Sequence, residues 1–218
     1  MHLHVADAER TLLEKGVKEF GLNLDNAQIA KLGRYLDLLE KWNRVYNLTA
    51  VSQRSDMVVR HLLESLAIAP YLAGKGRLDL GTGAGLPGIP LSIADPDAQY
   101  VLIDSNAKKT RFLREVKNQL GLSNIEVVTT RVEVWRAPQK FKTVLTRAFA
   151  DLATTCGRIE HLLAEQGHLF AMKSDYSSHE LADLPNHMKI ENIKRICVPG
   201  SDHGFQLITL IREKAKVS

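Results

Sequence analysis

Four glycines, Gly81, Gly83, Gly85 and Gly88, fall within eight positions of a 218-residue chain whose total of 14 would place fewer than one there. Two of the seven prolines, Pro87 and Pro90, share the same stretch, "RLDLGTGAGLPGIPLSI". Both residue types are costly inside helices and strands. Placed directly after a short apolar run, the stretch reads as a strand-to-helix turn. Its bare backbone lets a ligand approach, and the helix N-terminus behind it offers free N–H groups. One glycine would serve a turn that needed only a positive φ.

Two ligand chemistries fit the glycines alone. "GAGLPG", Gly83 to Gly88, satisfies the GxGxxG of dinucleotide sites, whereas "DLGTGAG", Asp79 to Gly85, satisfies the D-x-G-x-G-x-G of S-adenosylmethionine (AdoMet) sites. Register separates them. The first glycine of a dinucleotide fingerprint follows its strand at once, and here the strand "RLDL" is followed by Gly81. Asp79 supplies a carboxylate for a ligand ammonium, which AdoMet has and NAD lacks. The next apolar run, "YVLID", ends in Asp104, which can accept from ribose hydroxyls or cap the following helix; Ser105 and Asn106 could do the capping as well. Val132 and Glu133 follow the third run and offer an adenine an apolar wall and a polar edge, although Glu133 also reads as a solvated loop charge. Arg147 and Lys173 stand at the ends of later runs. There a cation can position a phosphate or close a salt bridge at the sheet rim.

Other chemistries lack their residues. The chain has no Asn/Asp-Pro-Pro-aromatic segment for an exocyclic amine and no Pro-Cys pair for covalent attack. Cys156 and Cys197 read as small buried hydrophobes, and no His, Cys and carboxylate set has metal-ligand spacing. Candidates for RNA contact are Lys108, Arg111 and Arg114, opposite the apolar stripe Phe112, Leu113, Val116 and Leu120, together with Arg60 and His61. The competing readings are a solvated helix face for the first three and a structural histidine for the last. Trp42 reads as core.

These residues need a scaffold. Amphipathic helices are predicted over 7–20, 26–43 and 55–72, with no strand among them, which makes residues 1–73 a helical N-terminal cap. From 74 to 218 short apolar runs alternate with helical patterns. Strands are predicted near 77–80, 99–103, 125–130, 142–146, 167–173, 190–197 and 205–212, and helices over 86–94, 106–120, 150–164 and 177–184. The alternation implies an α/β fold: a Rossmann-like, seven-stranded, mostly parallel sheet. Its last two strands, joined only by "PGSDHG", pair antiparallel at one edge. A formal charge of +4 suits a polyanionic partner without establishing one. No apolar run approaches a membrane span, "MHLHVADAER" does not read as a signal peptide, and the expected location is cytoplasmic. Nothing in the sequence calls for an obligate protein partner.

The segments "KWNRVYNLTAV", "RHLLESLAIAPYL", "LDLGTGAGLPGIPLSI", "LIDSNAKKTRFLREV", "TRVE", "TRAFADL" and "AMKS" occur in this order. Together they closely resemble the RsmG family (glucose-inhibited division protein B), from about Leu32 to the C-terminus. The resemblance implies methyl transfer from AdoMet to N7 of a guanine in 16S ribosomal RNA, free or in its assembling particle. It implies that Gly81 and Leu86 contact AdoMet, that Val132 and Glu133 contact its adenosine end, and that Arg147 lies beside the ligand. The other readings are an NAD(P)-dependent oxidoreductase, resting on "GAGLPG" alone, and an RNA-binding assembly factor without catalysis.

Overall fold

The computed structural model describes residues 7–214; residues 1–6, which open the segment read as no signal peptide, lie outside them. Two long helices come first, α1 (Asp7–Glu19) and α2 (Asn26–Tyr46). Asp25 starts α2 with a capping box, its side chain accepting from Gln28 N while Gln28 reaches back to the Asp25 N–H. The helix predicted over 55–72 is broken into α3 (Arg54–Met57), a π-helical segment (Val58–Leu63), α4 (Glu64–Leu66) and a 3-10 turn at Ala69–Tyr71.

The remaining elements alternate: β1 (Gly76–Leu80), α5 (Gly88–Ala94), β2 (Gln99–Asp104), α6 (Ala107–Leu120), β3 (Ile125–Thr129), β4 (Phe141–Arg147), α7 (Leu152–Ile159), β5 (Leu163–Lys173), α8 (Ser178–Ala182), β6 (Met188–Ile196) and β7 (Phe205–Arg212). They form one seven-stranded sheet in the order β3-β2-β1-β4-β5-β7-β6. The last two strands pair antiparallel, as expected, and β7 enters between β5 and β6. The helix predicted over 150–164 ends at Ile159, and β5 starts at Leu163 rather than 167. Pairing of Leu163 with Phe141 of β4 decides this; a local apolar pattern cannot foresee a partner strand.

Strand order reverses between β1 and β4, so a crevice opens at their C-terminal ends. The N-terminal helices are built into the floor under it. Leu32, Tyr35, Leu36 and Leu39 of α2 belong to the same buried cluster as Ile89, Leu102, Phe112 and Leu145 of the sheet and its helices. Trp42, half-buried, packs against the edge of this core on Phe112, centroids 5.6 Å apart.

Candidate functional site

The glycine loop starts at Gly81, immediately after β1, in the register of the AdoMet pattern. Beneath it Asp79 is fully buried. Its Oδ2 accepts from Thr82 Oγ1 at 2.6 Å and from Gly88 N at 2.8 Å, while Oδ1 has no partner among the described residues. Burial pushes this carboxyl up to about 7 against the two hydrogen bonds, which favour the charged form. A Cβ on Gly88 would lie 2.6 Å from Asp79 Oδ2, so only glycine lets α5 start this close to β1. Helix α2 holds the loop through Tyr35, which donates to the Ala84 carbonyl at 2.9 Å, and holds the end of α5 through Gln28, which donates to the carbonyls of Ile93 and Ala94.

A cleft of about 390 Å³ opens beside the loop, walled by Gly81, Asp104, Lys109, Val132, Glu133 and Phe149. Asp104 divides its carboxylate between Gly83 N, 3.0 Å from Oδ2, and Asn106 N, 2.8 Å from Oδ1. Asn106 caps α6, which leaves Asp104 free of that task. Val132 is the buried wall and Glu133 the exposed rim, where it pairs with Arg158 at 3.0 Å. Arg158 in turn lies over the Phe149 ring, and that ring closes on Gly81 so tightly that any Cβ there would collide with it. Gly81 has φ +63.

A second cavity, of about 480 Å³, adjoins the first through Ala148, which lines both and has φ +51. Its walls carry Arg60, Glu64, Arg147, Lys173, Ser174 and His203. Arg147 donates to Glu64 Oε2 and to the Arg60 carbonyl, each at 2.7 Å. Burial lowers the Arg147 pKa, and Glu64 opposes the shift; burial raises that of Glu64, and Arg147 opposes it. Lys173 is ion-paired to Glu180, whose carboxylate also accepts from Leu152 N.

The structure thus separates residues that the sequence grouped. Of the expected cofactor set, Gly81, Asp104, Val132 and Glu133 wall the first cleft. Asp79, Gly83, Gly85 and Leu86 do not. Gly85 instead packs under Ile89 and Leu113, where a Cβ would come within 2.5 and 2.9 Å, and Leu86 packs on the core. Arg147 lines the second cavity, not the first. Among the RNA candidates, Lys108 and Arg111 are exposed, and Arg60 is exposed beside the second cavity. His61 is a correction. It is 4% exposed, bonded to Thr49 Oγ1 at 2.9 Å, and lowered to about 4 chiefly by burial, so it is neutral at pH 7. Arg114 is exposed as well, and it bridges α6 to β3 through Thr129 Oγ1 at 2.7 Å and Val127 O. Cys156 is buried as expected, but Cys197, one residue beyond the end of β6, is exposed. Lys109, Phe149 and Ala148 were missed. Lys109 directly follows Lys108 in a run read only as a basic face, and nothing local marks the positive φ of an alanine.

Sheet order, a glycine loop after β1 and an acid ending β2 define a Rossmann-like methyltransferase fold. Solved structures agree. A SAM-dependent methyltransferase from Aquifex aeolicus superposes with a TM-score of 0.56 at 15% identity, over 76% of this chain and 97% of that one. The ribosomal protein L11 methylase of Lactobacillus delbrueckii subsp. bulgaricus gives 0.54 at 16%, over 71% and 79%. The model of the GidB family, rRNA small subunit methyltransferase G, matches residues 28–209, and the chain belongs to that family. Curated relatives named ribosomal RNA small subunit methyltransferase G are 45% identical in Chromobacterium violaceum, over 97% of this chain and 99% of the relative. In Nitrosococcus oceani the identity is 47%, over 94% and 95%.

Proposed function

We propose that this protein transfers a methyl group from AdoMet to N7 of a guanine in 16S ribosomal RNA. The observation that carries the reading is the pair of cavities sharing the Ala148 wall, one beside a glycine loop and one rich in cations, in a chain of this family. The first cleft suits AdoMet. Gly81 lines the cleft without a side chain at the β1 end, Asp104 offers acceptors for a ribose, and Val132 offers an apolar wall. Bound there, AdoMet supplies an electrophilic methyl on a sulfonium. Guanine N7 has a free lone pair, so no base is needed to uncover it. The task left to the protein is positioning and field. Arg147, fixed at both ends of its guanidinium, and Lys173 give the second cavity a set of held cations for O6 or a neighbouring phosphate. Among the described residues no group of three or more His, Cys, Asp or Glu is placed to hold a metal. None of the described helices is long and apolar enough to cross a membrane.

N7 methylation leaves the base positively charged, so borohydride reduction followed by aniline cuts the RNA there. Small-subunit RNA from a strain lacking this protein is expected to resist cutting at one guanine cut in the wild type, and added protein with AdoMet to restore it. A cut that persists without the protein overturns the product. Label on an adenine or a pyrimidine carbon overturns the guanine and keeps the donor.

A further inference from the structure

Among the cavity residues that could meet an RNA base, Glu64 is out of keeping. A carboxylate repels phosphate, yet it stands in the wall of a cavity otherwise furnished with Arg60, Arg147, Lys173 and His203. Its side chain is only 14% exposed, so it was taken out of water at a cost that a rim charge does not meet. Arg147 occupies Oε2 alone; Oε1 accepts no hydrogen bond from any described residue. The backbone is shaped around this position. Glu64 follows directly on the π-helical turn Val58–Leu63, with its N–H reaching five residues back to Val59 O. Such turns are frequent at functional sites. The neighbouring Arg60 carbonyl holds the other end of the same guanidinium.

We propose that Glu64 reads the Watson–Crick edge of the target guanine, accepting its N1–H and N2–H groups. This rests on the guanine-N7 reading above. Guanine is the only one of the four bases with two adjacent donors on that edge, and a carboxylate with one oxygen free and one shared with Arg147 matches them. Adenine presents an N1 lone pair there and is repelled. O6 shares that edge beside N1, and N7 lies beyond O6 on the Hoogsteen edge. Holding the donor edge at the Glu64 wall turns N7 away from it, toward the Ala148 side where the two cavities meet.

The test uses small-subunit RNA transcribed with inosine in place of part of its guanosine, offered free and as reconstituted particles. After transfer, nucleosides are separated, and the ratio of N7-methylguanosine to N7-methylinosine is taken relative to the pool. Inosine lacks only the N2 amino group. Wild type is expected to favour guanosine about tenfold, the loss of one hydrogen bond to a charged group. E64A is expected to bring the ratio within about twofold of unity, and E64D to keep most of it. AdoMet calorimetry confirms that each variant is folded, and E64Q, isosteric with Glu64, replaces E64A if that variant fails to bind. A ratio equal in wild type and E64A overturns the proposal and leaves the guanine-N7 reading standing, because Glu64 would then only support Arg147. If wild type yields no N7-methylpurine, that reading fails and the proposal with it.

Discussion

Asp79→Asn offers a perturbation whose sign and size both follow from the site. The buried carboxyl is raised from 3.8 to about 7 by desolvation. Its ionised form is therefore about 4 kcal/mol worse off in the fold than in the unfolded chain. A carboxyl raised on folding stabilises while protonated. The contribution is complete below the unfolded value near 3.8 and is lost as pH climbs through about 7. Between pH 5 and pH 8 the loss amounts to about 2–3 kcal/mol, or about 5–10 °C of Tm for a chain of this length. Asparagine is neutral throughout. Its oxygen can keep the bonds from Thr82 and Gly88, and its amide takes the place of the unpartnered Oδ1. Chemical denaturation of both proteins, without AdoMet, is to be followed from pH 5 to pH 8. Wild type should lose stability relative to Asp79→Asn by that amount. Parallel curves would refute the reasoning, because they would mean that Asp79 titrates alike in both states. Binding of a cation against the loop should pull the carboxyl down, so calorimetry near pH 7 in buffers of different ionisation enthalpy should show proton release by wild type and none by the variant.

Asp104→Ala removes the acceptor for Gly83 N and Asn106 N as well as the one assigned to ribose. AdoMet should weaken about ten- to a hundredfold by calorimetry, and normal affinity with lowered stability would leave Asp104 a loop tie only. Tyr35→Phe strips the Ala84 carbonyl of its buried donor; a loss of about 1–3 kcal/mol in urea unfolding is expected, and an unchanged midpoint would show that the contact holds nothing. Gly81→Ala forces a side chain onto φ +63 and into Phe149, so AdoMet binding should fall steeply with a stability cost of about 1–2 kcal/mol, whereas wild-type affinity would remove Gly81 from the site. Lys108→Ala with Arg111→Ala should flatten the salt dependence of RNA binding by about one unit of slope per lost phosphate contact, and an unaltered slope returns these exposed residues to solvent.

The sequence by itself determined the strands, their alternation with helices, and the place of the glycine loop. These depend on local terms: apolar period, the conformations glycine allows, and the cost of proline in regular structure. It also separated the two loop registers, because the end of β1 at Leu80 is legible from "RLDL" alone. Tertiary structure decided the rest. Arg147 and Lys173 ended their strands as expected, but only packing showed that each is held by a carboxylate from another element, Glu64 from the helical segment before β1 and Glu180 from α8. His61 has two readings in the sequence, an RNA contact or a structural histidine, and burial decides for the second, because a sequence does not display which side chains lose water. The sequence offers Asp79 as a carboxylate for a ligand ammonium, and the fold puts it under the loop, its charge opposed by the core around it. The β5 start was likewise settled by a partner strand, through the pairing of Leu163 with Phe141. Local patterns report what a residue can do in water or along its own element; which groups lose water and which charges meet depends on distant parts of the chain coming together, and that is a property of the fold.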